Sequence, residues 1–242
     1  MSVRSCGLRV LQSKTMQHPP SQRFKQAART WWRCEEALRL RYPRQGVLGP
    51  IGVDRLKHQR LRDERCHFPE LDLKSQSASS LCFFHRHGAS RDEAGHFHFF
   101  QQHLPTDVHL IALALNWQGK PLRLFSVNRW VTGETWLPWQ QTWRHFKGWR
   151  IRREARRREA WQNCRTLATT AQELEMVGLW LECMLTILAP EIRHCLRARD
   201  QCLSDWVDRK PGINLLEDKS LEVLSEQAID WHLPDPRSAS ER

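Results

Sequence analysis

The chain has 242 residues, with 38 Lys and Arg against 27 Asp and Glu, a formal net charge of +11, twelve tryptophans and eight cysteines. That length can bury roughly 70 to 75% of its unfolded surface without disulfide or metal staples. No stretch approaches the ~18 apolar residues of a membrane span. Residues 1–20 lack the continuous apolar core of a secretory signal. Cys6, Cys34, Cys66, Cys82, Cys164, Cys183, Cys195 and Cys202 make no CxxC pair or zinc-ribbon spacing. The expectation is a cytoplasmic protein with reduced thiols and no membrane span.

Residues 1–20 carry Arg4, Arg9 and Lys14 without acids and read as a disordered extension, with Met16 as an alternative start of translation. From 21 to 41 the pattern is helical: Ser21 caps, Phe24, Ala28, Trp31 or Trp32, Glu35 and Leu38 trace a stripe, and Pro43 ends it. A short helix is expected at 54–65. The polar run KSQSASS at 74–80 reads as a loop, with the sheet beginning after it.

Residues 81–100 read LCFFHRHGASRDEAGHFHFF, so HxH occurs twice, at His85/His87 and His96/His98, with Glu93 between. Strand side chains alternate faces, so each pair points one way. A symmetric hairpin with Gly88 to Gly95 as its loop sets His87 opposite His96, His85 opposite His98 and Phe83 opposite Phe100. All four imidazoles then share a surface, and Phe84, Phe97, Phe99 and Arg86 take the reverse. A slip of one residue would divide the histidines between faces. Opposed Cβ atoms about 4.5 to 5.5 Å apart let several imidazoles converge on a metal. Neutral histidines with a carboxylate suit divalent Zn, Fe, Mn or Ni, so the ligand candidates are His85, His87, His96 and His98, with Glu93 at the loop tip as a fourth donor. The competing reading makes them polar residues of a half-exposed face or of a buried hydrogen-bonded network.

Beyond the hairpin, 104–107 is a turn, 109–116 an apolar strand, and Gln118-Gly119-Lys120 a turn into a strand over 121–131, giving an antiparallel meander of at least four strands. Symmetric turns place His109, Ile111, Ser126 and Asn128 on the histidine face and Ala112, Ala114, Phe125 and Val127 on the other. His109 and Asn128 thereby become candidates for orienting metal-bound imidazoles through the second ring nitrogen. The alternative for Asn128 is to tie down, with Arg129, the turn before Thr132-Gly133. Glu134 is a candidate general base or ligand if its loop returns to the histidines. Trp130, Trp136, Trp139, Trp143 and Trp149 supply packing area.

The run RHFKGWRIRREARRR at 144–158 holds Glu154 as its one acid and is expected within a helix over about 140–165. Arg150, Arg152, Arg153, Arg156, Arg157 and Arg158 would meet a polyanion such as nucleic acid, with Trp149 and Trp161 as stacking candidates, or simply face solvent. Leu174, Val177, Leu181, Met184, Leu185 and Leu188 recur at helical spacing, Pro190 interrupts, and Ile192, Cys195, Leu196, Leu203 and Trp206 continue the stripe until Pro211-Gly212. These helices, at about 170–208, are expected to cover the sheet face opposite the histidines. Residues 220–226 read as a short strand or helix and 234–242 as a disordered tail, leaving 21–233 as a single domain.

The histidine segment is similar in part to the first cupin motif, in which HxH shortly precedes a glutamate; here His87 and Glu93 lie further apart and the upstream glycine is absent. It is also similar to the HxHxH ending of histidine-triad nucleotide hydrolases, but Phe100 takes the third place. A broader match runs from about His67 to Glu226. HFPELD (67–72), FFHRH (83–87), EAGHFHFF (93–100), HLIALAL (109–115), LFSVNRWVTGETW (124–136) and LEDKSLEVLSE (216–226) resemble an uncharacterised bacterial, mainly proteobacterial, family built on a domain of unknown function. Members of that family more often carry Glu-His where this chain has Glu93-Ala94. The resemblance implies a soluble bacterial protein and no particular activity.

The fold class is therefore α+β, an antiparallel meander with N-terminal and C-terminal helices packed mainly on one face. The leading functional expectation is a metal-binding protein, extending to a metal-dependent enzyme. The alternatives are a nucleic-acid-associated protein using the basic helix, and a non-catalytic interaction scaffold.

Overall fold

The computed structural model describes residues 21–53, 67–75, 79–86, 92–102, 105–151 and 171–230. It is an α+β arrangement in which six strands form one antiparallel sheet: β1 (Phe68–Ser75), β2 (Ser80–His85), β3 (Glu93–Gln101), β4 (Val108–Asn116), β5 (Pro121–Val127) and β6 (Val223–Ala228), in sequential order. The helices are α1 (Gln22–Arg41), α2 (Arg129–Thr132), α3 (Trp139–Gly148), α4 (Ala171–Ile187) and α5 (Ala189–Val207). Ser21 caps α1 by accepting from the Phe24 amide at 3.2 Å. Pro190 sits in the first turn of α5, where its missing N–H costs nothing, and so restarts the helix after α4.

The sheet begins one strand earlier than the sequence led us to expect. β1 takes Lys74 and Ser75 from the run expected as a loop, and it is an edge strand, where charged residues such as Asp72 and Lys74 are tolerated and useful. β6 closes the other edge against β5. The expected helix over 140–165 is also cut short, because α3 stops at Gly148 and the chain turns extended at Trp149, which is buried. The segments expected as a helix at 54–65 and as arginine-rich helix from 152 lie outside the described residues, as do the two termini.

Phe84, Phe97, Phe99, Ile111, Leu113 and Leu124 line one face of the sheet. They pack in a single core with Trp31 and Leu38 of α1, Val177, Trp180 and Leu181 of α4, and Ile192 and Leu196 of α5. The helices therefore cover the face opposite the histidines. At about 1.5 to 3 kcal/mol for each fully buried large side chain, this face is the main source of stability.

β2 and β3 pair as Phe83 with His98, Phe84 with Phe97 and His85 with His96. The expected pairing of His87 with His96 and His85 with His98 is displaced by two residues. Two is the side-chain period, so the expected faces survive. Further along, the faces reverse. β4 follows the expected alternation through His109, opposite Phe100, and then a bulge inserts Leu110 before Ile111 pairs with Phe99. Beyond that bulge Ala112 and Ala114 lie opposite His98 and His96, and Phe125 lies opposite Ala112. Ala112, Ala114, Phe125 and Val127 thus share the histidine side, whereas Ile111 joins the core and Ser126 pairs with Ser225, whose Oγ is 3.2 Å from Cys195 Sγ on α5. One extra residue flips every later side chain.

A second bulge lies between Glu93 and Gly95. Gly95 has φ of 150°, and a Cβ there would come 2.4 Å from the His85 carbonyl oxygen and 2.7 Å from Cζ of Phe84. Backbone and core leave no room to move. Gly95→Ala is expected to lower the unfolding free energy by about 1 to 3 kcal/mol, read from the urea midpoint at constant m-value.

Candidate metal centre

The two bulges decide what stands behind the histidines. Strict alternation from His96 would send residue 93 to the core side; the extra residue Ala94 returns Glu93 to the histidine side. There it accepts from His96 Nδ1 at 2.9 Å and, through its other oxygen, from Arg123 Nε and Nη2 at 3.2 and 3.0 Å. Burial opposes ionisation, but the His96 hydrogen bond and the charge of Arg123 hold the Glu93 carboxyl below its ordinary range. An ionised carboxylate only accepts, so Nδ1 of His96 carries a proton, and the neutral form of the ring has its lone pair on Nε2.

The Leu110 bulge does the same for His109. Its Nε2 lies 2.9 Å from His98 Nδ1. Burial, with the charge of Arg199 added, pushes His109 down to about 3, so its ring is neutral near pH 7. The tautomer in which Nδ1 of His98 donates to that neutral ring leaves Nε2 of His98 with its lone pair.

His85 completes the group: its Nε2 is 3.0 Å from Nε2 of His96. The ring centroids of His85, His96 and His98 lie 4.7, 4.9 and 5.0 Å apart, with interplanar angles of 89°, 78° and 79°. Each residue offers a donor atom within 4.8 Å of the others. Tetrahedral coordination at about 2.05 Å per nitrogen needs donors about 3.3 Å apart, within reach of small side-chain rotations. His96 and His98 are 3% and 2% exposed while His85 is half-buried, so access runs from the β2 side. Aromatic rings pave the rest, with Phe125 5.0 Å from His96 and Phe83 5.6 Å from His98.

The expected site residues divide accordingly. His85, His96 and His98 converge; Glu93 and His109 stand behind them as hydrogen-bond partners, and Glu93 leaves the loop-tip position expected of a ligand because β3 already starts there. His87 lies outside the described residues. Asn128 does not reach the histidines. It caps α2, accepting from the Arg129 amide, and its Nδ2 donates to the carbonyls of Leu215 and Leu221 at 2.8 and 3.0 Å. Glu134 hydrogen-bonds with Thr132 beside the Gly133 cap, in a loop tied to β4 by the Thr135 amide and the Asp107 carbonyl. Arg150 is half-buried, its amide donating to Ser80 Oγ, and Arg152, Arg153, Arg156, Arg157 and Arg158 lie outside the described residues.

Sequence reading missed Arg123, which holds Glu93, and His67, whose ring stacks on Phe83 at 3.8 Å and whose Nδ1 meets Asp72 Oδ1 at 2.8 Å beside the entrance. Only strand pairing brings either to the histidines.

The fold and the histidine face together define an α+β sheet protein in which three imidazoles could hold a metal ion. The chain belongs to the family described as Domain of unknown function (DUF6969), whose model matches residues 26–229. No curated protein and no solved structure matches it. No helix of the described residues is long and apolar enough to cross a membrane.

Glu134 is 6% exposed, and burial lifts its carboxyl to about 7 against the pull of Arg199 and Arg129. A folded pKa above the unfolded value of 4.5 means that the folded state binds the proton more tightly. Its contribution to stability is complete below the unfolded value and is lost as pH rises through the folded one. Between pH 5 and pH 8 the wild type should lose about 2 to 3 kcal/mol more unfolding free energy than Glu134→Gln, which cannot titrate. Parallel urea titrations at the two pH values check this; equal losses would place the titration elsewhere.

Proposed function

We propose that the protein binds one divalent transition metal, Zn, Fe, Mn or Ni, through His85, His96 and His98, with His87 a further candidate donor. The observation that carries this reading is the near-equilateral, mutually perpendicular set of imidazoles, whose donor atoms already lie within 4.8 Å of one another. A packing role alone gives no reason for such convergence, and a buried histidine network would not need a carboxylate fixed on one ring and a neutral imidazole on the next.

Glu93 and His109 serve as orienting partners. Each engages the Nδ1 side of a ligand ring, fixing the tautomer that presents Nε2 and raising its basicity. Arg123 neutralises Glu93 and keeps it on His96. The donor set is then neutral imidazole, which suits these borderline ions better than Mg or Ca. A metal held there supplies Lewis acidity, and on that ground the reading extends to a metal-dependent enzyme. Phe83, Phe100 and Phe125 limit water around the rings, and half-buried His85 keeps an approach from the β2 side.

Elemental analysis of untagged protein prepared without chelator is expected to find about one equivalent of transition metal. His96→Ala/His98→Ala, shown to be folded by circular dichroism, should hold none. Wild type that is metal-free and takes up none of the four ions on dialysis overturns the reading. Glu93→Gln keeps the three ligands but loses the ionised acceptor, so metal affinity should fall by about 10- to 100-fold in a chelator competition. An unchanged affinity would remove Glu93 from the site.

A further inference from the structure

On the helical side, remote from the histidines, a cavity of about 250 Å³ opens between the start of α1, the end of α3 and the junction of α4 with α5. Its walls are aromatic, formed by Phe24, Trp143 and Phe146, and the last two stack with centroids 5.0 Å apart at 18°. Three cationic side chains, Arg23, Lys147 and Arg150, also line it. Among the described residues none of the three is in an ion pair. Among the described residues the one carboxylate in the lining, Glu182, is drawn to the backbone, its Oε1 accepting from the Ile151 amide at 2.7 Å. The first turn of α1 holds no acid, so its N-terminal partial positive charge adds to that of Arg23.

We propose that this cavity is a binding site for a nucleoside monophosphate, independent of the metal site. Charge selects the ligand class: three cations against one engaged carboxylate leave a net charge of about +2, the complement of a phosphate monoester dianion near pH 7. Arg23 offers a forked donor, Arg150 the part of its guanidinium left after Nη1 donates to the Trp149 carbonyl, and Lys147 a mobile point charge, the two kinds of group that hold phosphate oxygens. The aromatic walls select the other half, because a nucleobase presents a π-face to stack on side chains of this kind. Size excludes larger members of the class. Pockets that enclose drug-sized ligands start at about 300 Å³, so a cavity of about 250 Å³ takes at most one nucleotide, part of it standing at the mouth, and a dinucleotide would not fit. The back of the cavity is fixed by Trp149, whose Nε1 donates to the Phe100 carbonyl at 3.1 Å, so the walls are joined rigidly to the sheet.

The test is calorimetric titration of the full chain with AMP, adenosine, inorganic phosphate and a single-stranded oligonucleotide at physiological salt. AMP is expected to bind one site, with adenosine and phosphate each at least about tenfold weaker. Lys147 is exposed, so Lys147→Glu should fold normally, and it should weaken AMP by at least about tenfold. Trp143→Ala should do likewise. If that variant fails to fold, Lys147→Glu decides alone. Absence of AMP binding overturns the proposal. So does adenosine binding as well as AMP, which would mark a plain apolar slot, and phosphate binding as well as AMP, which would mark an adventitious anion. AMP affinity unchanged in Lys147→Glu places the nucleotide elsewhere. Oligonucleotide retention without AMP binding assigns the surface to a polymer backbone and equally overturns the site.

Discussion

Everything on the histidine side follows from the burial of the opposite face. Phe84, Phe97, Phe99, Ile111 and Leu113 are driven against α1, α4 and α5, and with a side-chain period of two that burial commits His85, His96 and His98 to the other surface. Exchanging the faces would expose those five large apolar side chains, a cost of order 10 kcal/mol that exceeds any gain from solvating the imidazoles. The helical layer therefore orients a cluster it does not touch.

Alternation alone would produce bare imidazoles with nothing to hold their tautomers. The bulges at Ala94 and Leu110 break it at two points, one upstream of His96 and one opposite the end of β3, and each returns a polar side chain to the histidine side. Glu93 and His109 are the result. Both are buried, and each is hydrogen-bonded to a histidine Nδ1. The absent Cβ of Gly95 is part of the same device, since the first bulge presses β3 against the His85 carbonyl. Polar groups taken out of water are costly unless satisfied, and here each is satisfied by the next, from Arg123 through Glu93 and His96 to His85.

The proposed nucleotide cavity and the histidine cluster lie on opposite sides of the sheet and draw on different chemistry, cationic rim and stacked aromatics against neutral imidazole. Trp149 bridges the two layers: its indole hydrogen-bonds to the Phe100 carbonyl, and the Phe100 ring packs 5.1 Å from His109. The extended turn that ends α3 at Gly148 is what brings Trp149 to the sheet, so the break in the basic segment is a packing event.

Much of this was legible in the residues. HxH twice across a short gap, with phenylalanine at the alternate positions 84, 97 and 99, dictates two paired strands with imidazole on one side and aromatic core on the other, because alternation is local covalent geometry. Helix limits at Ser21 and Pro190 were legible for the same reason: capping and the missing proline N–H act within one turn. The sequence could not reveal the bulges. They insert single residues whose only signature is a register that two strands agree on together, so Ile111, Ala112, Ala114, Phe125 and Ser126 were expected on the wrong faces and the contact of Glu93 with His96 was not foreseen. Nor could it place Asn128, whose partners Leu215 and Leu221 lie far along the chain, or bring Arg123 to Glu93 across the sheet. What lies within a few residues was set by the sequence itself. What depended on long-range pairing, where one extra residue inverts every face beyond it, only the tertiary structure decided.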